Sequence, residues 1–141
     1  MNQVQFVKYI NEAILSLPEA LRQKIENLAF VLEDEPRVAT LQERGIKFNG
    51  LLLGLYQGIP LTRRSRGYSG VLPDKITLFK KPIESLAGPE EENIKKLIHK
   101  VILHEIGHYF GFNEEKVREW EKRRAEKISD SSQISNIADF I

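Results

Sequence analysis

The sequence predicts an α+β domain built from several helices and a few short strands. Apolar residues recur at helical spacing near the N-terminus and again along a long stretch after residue 89. Between these stretches lie short apolar runs that end at turn-forming residues, a pattern typical of buried strands. The chain has 141 residues, of which 41% are hydrophobic, and this is enough for one domain with its own core.

Two helices and a strand are predicted before Pro36. Residues 3–16 carry apolar side chains at the spacing of an amphipathic helix. Pro18 opens a second short helix, which runs to about Ile25, because proline is tolerated in a first turn. Residues 28–32 form an apolar run closed by the turn at Pro36, which favours a strand, although Leu and Ala also suit a helix.

The middle of the chain predicts a helix, two strands and a long loop. Residues 37–44 form a short helix that ends at Gly45, and residues 51–56 form a strand between glycines. Residues 58–74 are rich in Gly, Pro and Ser, and loops of this length in compact domains often serve a function. Residues 75–80 form a strand with a lysine at each end. This favours an edge strand, with which an extended peptide could pair.

A long helix and a final helix are predicted after Pro89. Acidic residues follow this proline and suit the first turn of a helix, where the helix dipole favours negative charge. Asn113 can cap a last helix over residues 114–128. Residues 129–141 are rich in serine, and we expect them to form a loosely ordered tail. A single domain is therefore expected over residues 1–128.

Composition and charge argue against some binding partners and some kinds of site, and they bear on the cellular compartment. Lys and Arg together number 21 and Asp and Glu 20, so no overall charge favours nucleic acid or an anionic membrane. The absence of cysteine excludes disulfide scaffolds and thiolate zinc sites. The longest apolar run, residues 51–55, is too short to span a membrane. Residues 1–17 lack the apolar stretch of a signal peptide, so we expect a cytoplasmic protein.

The long helix carries two histidines and a glutamate on one side. His104, Glu105 and His108 form the motif His-Glu-x-x-His. At about 100° per residue, His108 lies about 40° from His104, and Glu105 about 100° from it. Two neutral imidazoles at this spacing can bind one Zn²⁺, and the carboxylate stands beside the open position of the metal. Leu97 and Val101 fall in the same arc, so the motif continues the buried face of the helix.

This combination of residue types suits hydrolysis by water. Zinc lowers the pKa of a bound water to about 7 and polarises a carbonyl oxygen. Glu105 would take the proton from that water and pass it to the leaving amine. Such zinc sites use three protein ligands and one open position, so the third ligand must come from outside the motif.

The third ligand is expected shortly after the helix. Gly111 can adopt a left-handed conformation and reverse the chain, which would bring Glu114 to the metal. The spacing from Gly111 to Glu114 matches the turn-then-ligand arrangement of related motifs. Asn113 and Glu115 are the other near candidates, and Glu119 is more remote.

Three segments of the chain resemble the zincin metallopeptidases, and more closely the small bacterial zincin-like type called minimal zincins. They are the motif segment 104–115 and the upstream segments 54–62 and 68–76, and the likeness covers roughly residues 20–120. The resemblance implies a compact α+β domain with a small mixed sheet of about three to four strands, an active-site helix and a following C-terminal helix.

The same resemblance assigns roles to residues of the motif. It implies His104 and His108 as ligands of one zinc ion, Glu105 as the general base and an acidic third ligand at Glu114. The expected function is a zinc-dependent peptidase that acts on a peptide or protein substrate. Metzincins place a histidine at the third position and carry a methionine turn downstream. This chain departs from that branch, because it has Glu114 and its only methionine is Met1.

Two other functions are weighed against the peptidase. One is a non-catalytic zinc-binding or regulatory module that binds a partner protein. A metal-dependent ribonuclease is less favoured, because such enzymes have a third histidine and lack the glutamate that follows the first.

For a peptidase, Tyr56 or Tyr68 could donate a hydrogen bond to the developing oxyanion.

Overall fold

Several helices and a three-stranded mixed sheet make up the part of the chain that the structure describes. The computed structural model describes residues 1–43, 51–59, 74–113, 115–119 and 122. The helices are α1 (Gln3–Leu15), α2 (Glu19–Arg22), α3 (Val38–Glu43), α4 (Lys80–Ala87) and α5 (Glu91–Tyr109). The strands are β1 (Leu28–Glu33), β2 (Gly54–Gln57) and β3 (Asp74–Phe79). This architecture confirms the predicted α+β fold class.

The first helix forms as its sequence pattern predicts. Asn2 and Gln5 build a capping box, in which the Gln5 amide donates to Asn2 Oδ1 at 2.8 Å and the Asn2 amide donates to Gln5 Oε1 at 3.0 Å. The predicted apolar face is buried through Phe6, Ile10 and Ala13. Burying a large apolar side chain contributes about 1.5–3 kcal/mol, so this face holds α1 on the domain.

The predicted position of β3 at the edge of the sheet is wrong. The strand order is β1-β3-β2, with β1 parallel and β2 antiparallel to the central β3. Both faces of β3 are covered, since Ile76 and Leu78 on one face and Thr77 and Phe79 on the other are all buried. Its two flanking lysines therefore do not protect an open edge, and Lys80 already belongs to α4.

Two further differences from the prediction have local causes. The strand predicted over residues 51–56 begins only at Gly54. The sequence pattern does not predict α4, because Pro82 reads as the end of a strand. In the structure Pro82 is the third residue of α4, where its missing N–H costs no helical hydrogen bond.

The longest helix, α5, packs against α1, α4, β2 and β3. Its buried face consists of Ile94, Ile98, Val101, Ile102, Ile106 and Tyr109. Because α5 packs against four other elements, its backbone is fixed where the histidine motif lies, near its C-terminal end. None of the helices in the described ranges is long and apolar enough to cross a membrane.

The final predicted helix is seen only in part. Residues 115–119 are helical. Asn113 caps this helix as predicted, since its Oδ1 accepts from the Lys116 amide at 2.8 Å. Val117 is fully buried in the core. Residues 60–73 of the predicted loop and the predicted tail 129–141 lie outside the described residues, so the domain limits 1–128 stay a prediction.

Candidate metal centre

Two histidines meet one turn apart near the end of α5. The Nε2 atoms of His104 and His108 lie 3.2 Å apart. Their rings are 4.9 Å apart between centroids and stand nearly perpendicular, at 77°. Both side chains are half-buried. The i, i+4 spacing seen in the sequence therefore places the Nε2 atoms of His104 and His108 side by side.

This separation fits two ligands of a single ion. Zinc binds histidine nitrogen at about 2.0–2.1 Å with tetrahedral geometry, which sets two such nitrogens about 3.3–3.4 Å apart. The observed 3.2 Å is close to that spacing. The separation of the two ring nitrogens is thus compatible with one shared zinc ion.

The backbone after α5 sets the proton position on His108. Nδ1 of His108 lies 3.0 Å from the carbonyl oxygen of Phe112. A carbonyl only accepts, so Nδ1 is the donor and the neutral ring keeps the lone pair on Nε2. Hydrogen bonds of this kind orient metal-binding histidines and raise their basicity.

The Phe112 carbonyl reaches His108 because the chain reverses at Gly111. Gly111 has a φ of 91°, a left-handed conformation that favours glycine. The reversal is closed by the Phe112 amide, which donates to the carbonyl of Gly107 at 3.0 Å. The predicted turn at Gly111 is confirmed. In the structure this turn places the Phe112 carbonyl oxygen beside His108 Nδ1.

Glu105 stands at a close contact between α5 and β2. It lines the same cavity as His104. A Cβ atom placed on Gly54 of β2 would lie 3.4 Å from Glu105 Cγ and only 2.6 Å from Val101 Cγ1. The strand can approach the helix this closely because residue 54 has no side chain. Sequence reasoning did not assign Gly54 a role, although a glycine inside a strand pattern often marks such an approach.

A model of the zincin-like metallopeptidase family matches residues 25–124. The chain belongs to this family. The matched region runs from the start of the sheet through α5 and its histidine motif. A search of curated proteins finds no match to the chain. Membership identifies the protein, at the level of the family, as a zincin-like metallopeptidase, and implies zinc binding.

Four residues after α5 are candidates for the third ligand of the zincin-like site: Glu114, Asn113, Glu115 and Glu119. Glu114, the predicted ligand, lies outside the described residues. Within the described ranges there is no cluster of three His, Cys, Asp or Glu side chains that could hold a metal ion. Of the alternatives, Asn113 uses its side-chain oxygen to cap the next helix, and Glu115 and Glu119 are exposed. The assignment of Glu114 stays a prediction.

Tyr56, one of the two predicted oxyanion donors, has a structural contact in this zincin-like domain. Its hydroxyl donates to Asp74 Oδ2 at 2.7 Å, and Asp74 is buried. Its ring packs edge-on against Tyr109 of α5, with centroids 6.0 Å apart. The hydroxyl is thus used to satisfy a buried carboxylate. The other predicted donor, Tyr68, lies outside the described residues.

Proposed function

We propose that this protein hydrolyses peptide bonds in a peptide or protein substrate as a zinc-dependent peptidase. In this proposal His104, His108 and Glu114 hold one zinc ion, and Glu105 is the general base. The observation that supports it most directly is the 3.2 Å separation of the two histidine Nε2 atoms on the helix that also carries Glu105. The family match over residues 25–124 supports the same class of reaction.

The reaction needs an activated water and a group that moves a proton. When bound, zinc supplies the Lewis acidity that activates water and polarises the scissile carbonyl. The Glu105 carboxylate accepts the proton of the attacking water as the new C–O bond forms. The same carboxyl then gives that proton to the amine nitrogen as the C–N bond breaks.

The protein prepares these groups before substrate arrives. The Phe112 carbonyl fixes the orientation of the His108 ring through Nδ1, at 3.0 Å. Glu105 is half-buried where α5 lies beside Gly54 of β2. Groups held in this way lose little conformational entropy on reaction, and this lowers the barrier.

The revised strand order changes where an extended substrate would bind. The sequence suggested pairing with residues 75–80, but β3 is central and both of its edges are occupied. Strand β2 lies at the margin of the described sheet and touches α5 beside Glu105. Because Gly54 of β2 lines the same cavity as His104 and Glu105, we assign β2 as the strand that pairs with an extended substrate.

Substitution of the base tests this function. Glu105→Gln keeps the size of the side chain but removes proton acceptance, and we expect cleavage to fall by about 10²–10⁴-fold while zinc is retained. The matched control is Glu92→Gln, which neutralises an exposed carboxylate in the first turn of the same helix. Hydrolysis of a peptide library followed by mass spectrometry, with metal analysis, gives both quantities.

The outcomes separate the candidate functions. Cleavage that is undiminished in Glu105→Gln would contradict the role of Glu105. Zinc retained by wild-type protein that cleaves no peptide would favour the non-catalytic, partner-binding alternative. RNA cleavage that is lost on His104→Ala would favour a ribonuclease.

A further inference from the structure

A cavity of about 290 Å³ opens beside the candidate metal centre. Its wall is mostly apolar and comes from the residue before β2, from α4 and from α5. These side chains are Leu53, Leu86, Leu97 and Val101. His104 and Glu105 also line the cavity, so what fills it lies next to the reacting groups. Its volume is near the lower limit of ligand pockets, about 300 Å³, which suits one large side chain with its backbone.

A lysine is among the described residues that line this apolar cavity. Lys100 lies on α5 one turn before His104, is exposed and lines the same cavity. None of the carboxylates in the described part of the chain forms an ion pair with its ammonium group. Two other lysines do form ion pairs, Lys95 of α5 with Glu12 and Lys80 of α4 with Glu84.

We propose that this cavity selects peptides in which a large apolar side chain stands next to a carboxylate. The apolar side chain fills the space between Leu86 and Leu97, and the carboxylate pairs with Lys100. The carboxylate belongs either to an acidic side chain or to a free C-terminus. This inference rests on the proposed function, because it names the substrate class of the same site.

The apolar contact and the ion pair with Lys100 should contribute differently to the binding affinity. Burial of an apolar side chain in the cavity supplies most of the affinity, and its loss on Leu→Ala in the peptide should weaken binding at least tenfold. The pair with exposed Lys100 is screened by water and salt, and its contribution should be about three- to fivefold. The charge contribution should shrink as salt is raised, whereas the apolar contribution should not.

Binding is measured on zinc-loaded Glu105→Gln protein, so that peptides are not consumed. Fluorescent hexapeptides are compared by polarisation in four forms. An amidated peptide with adjacent Leu and Glu tests an acidic side chain, and a peptide with a C-terminal Leu and a free carboxylate tests the terminus. An amidated peptide with Leu and Gln removes the charge, and one with Ala and Glu removes the apolar group.

Charge reversal at Lys100 identifies the selecting residue. In the same background, Lys100→Glu should weaken the carboxylate-bearing peptides about fivefold or more and leave the Leu-Gln peptide unchanged. The control Lys96→Glu makes the same change at an exposed position of α5 that does not line the cavity. It should leave all four affinities unchanged.

Three results would overturn the inference. The first is that neither the Leu-Glu peptide nor the peptide with a free C-terminal Leu binds more tightly than the Leu-Gln peptide. The second is equal affinities for the Leu-Glu and Ala-Glu peptides, and the third is equal effects of Lys100→Glu and Lys96→Glu. Hydrolysis by wild-type protein is measured in parallel on the same peptides. Cleavage without any such preference overturns this inference alone, and selective binding without cleavage overturns the proposed function alone. If the protein neither binds nor cleaves these peptides, the inference and the proposed function are both overturned.

Discussion

At the scale of single residues, a hydrogen bond joins His108 of the motif to the backbone just after α5. The regular geometry of a helix makes the meeting of His104 and His108 predictable from their spacing, and the same holds for the turn at Gly111. The hydrogen bond from His108 to the Phe112 carbonyl was not predictable, because it depends on the path of the backbone after the turn. The third ligand was inferred from spacing and from the family resemblance, and Glu114 lies outside the described residues.

Gly111→Ala should lower both stability and zinc affinity. A side chain at a φ of 91° is strained, and the substitution should cost about 1–2 kcal/mol of the free energy of unfolding. Any relaxation of the turn would move the Phe112 carbonyl away from His108 Nδ1. Urea unfolding and zinc titration measure the two effects. Gly111→Asn is the matched control and should cost less, because asparagine tolerates this conformation better, and equal losses for the two variants would contradict the account.

Glu84 gives a prediction about pH. Its hydrogen bond to Lys80, at 2.7 Å, lowers the pKa of the Glu84 carboxyl below its ordinary value of 4.5. A folded-state pKa below the unfolded one stabilises the protein above about pH 4.5, and this contribution disappears as the pH falls through the lowered value. Wild-type protein should therefore lose its stability advantage over Glu84→Gln on acidification. Thermal unfolding of the two proteins on either side of this pH checks it, and a constant difference would contradict it.

At the scale of elements, the approach of β2 to α5 defines the wall of the site. Strand β3 carries a lysine at its start and is followed by another, and this local pattern fits an edge strand. Strand order depends on which segments pair across the chain, and no local pattern contains that information. Helix α4 escaped prediction because proline both ends strands and is accepted in a first helical turn.

Gly54→Ala tests this contact between elements. The new methyl group would lie 2.6 Å from Val101 Cγ1, and a β-branched side chain in a helix has little freedom to move aside. We expect a loss of about 1–3 kcal/mol of stability from overpacking, with a lower kcat as Glu105 shifts. Urea unfolding and steady-state kinetics measure the two effects.

A second substitution distinguishes crowding from a general defect. Val101→Ala removes the atom that the new methyl group meets, so the double variant should be more stable than the sum of the two single changes predicts. Strict additivity of the two free-energy changes would show that the contact is not the cause.

At the scale of the whole molecule, the fold class followed from the sequence because helical and strand patterns are local. The sheet supports α5 from one side, and α1 and α4 pack against the same helix. The motif lies near the C-terminal end of α5, where His104, Glu105 and His108 are half-buried beside fully buried neighbours. The position of the motif at the end of the best-supported helix is what links the fold to the proposed chemistry.

The most direct test of the central claim is a zinc titration of metal-free protein with hydrolysis of a peptide library as the readout. Cleavage should rise with added zinc and saturate at about one ion per chain, as expected of a site with three protein ligands and one open position. Glu105→Gln should bind the same amount of zinc and stay inactive. Cleavage by metal-free protein, or cleavage by zinc-loaded Glu105→Gln at the wild-type rate, would contradict the account.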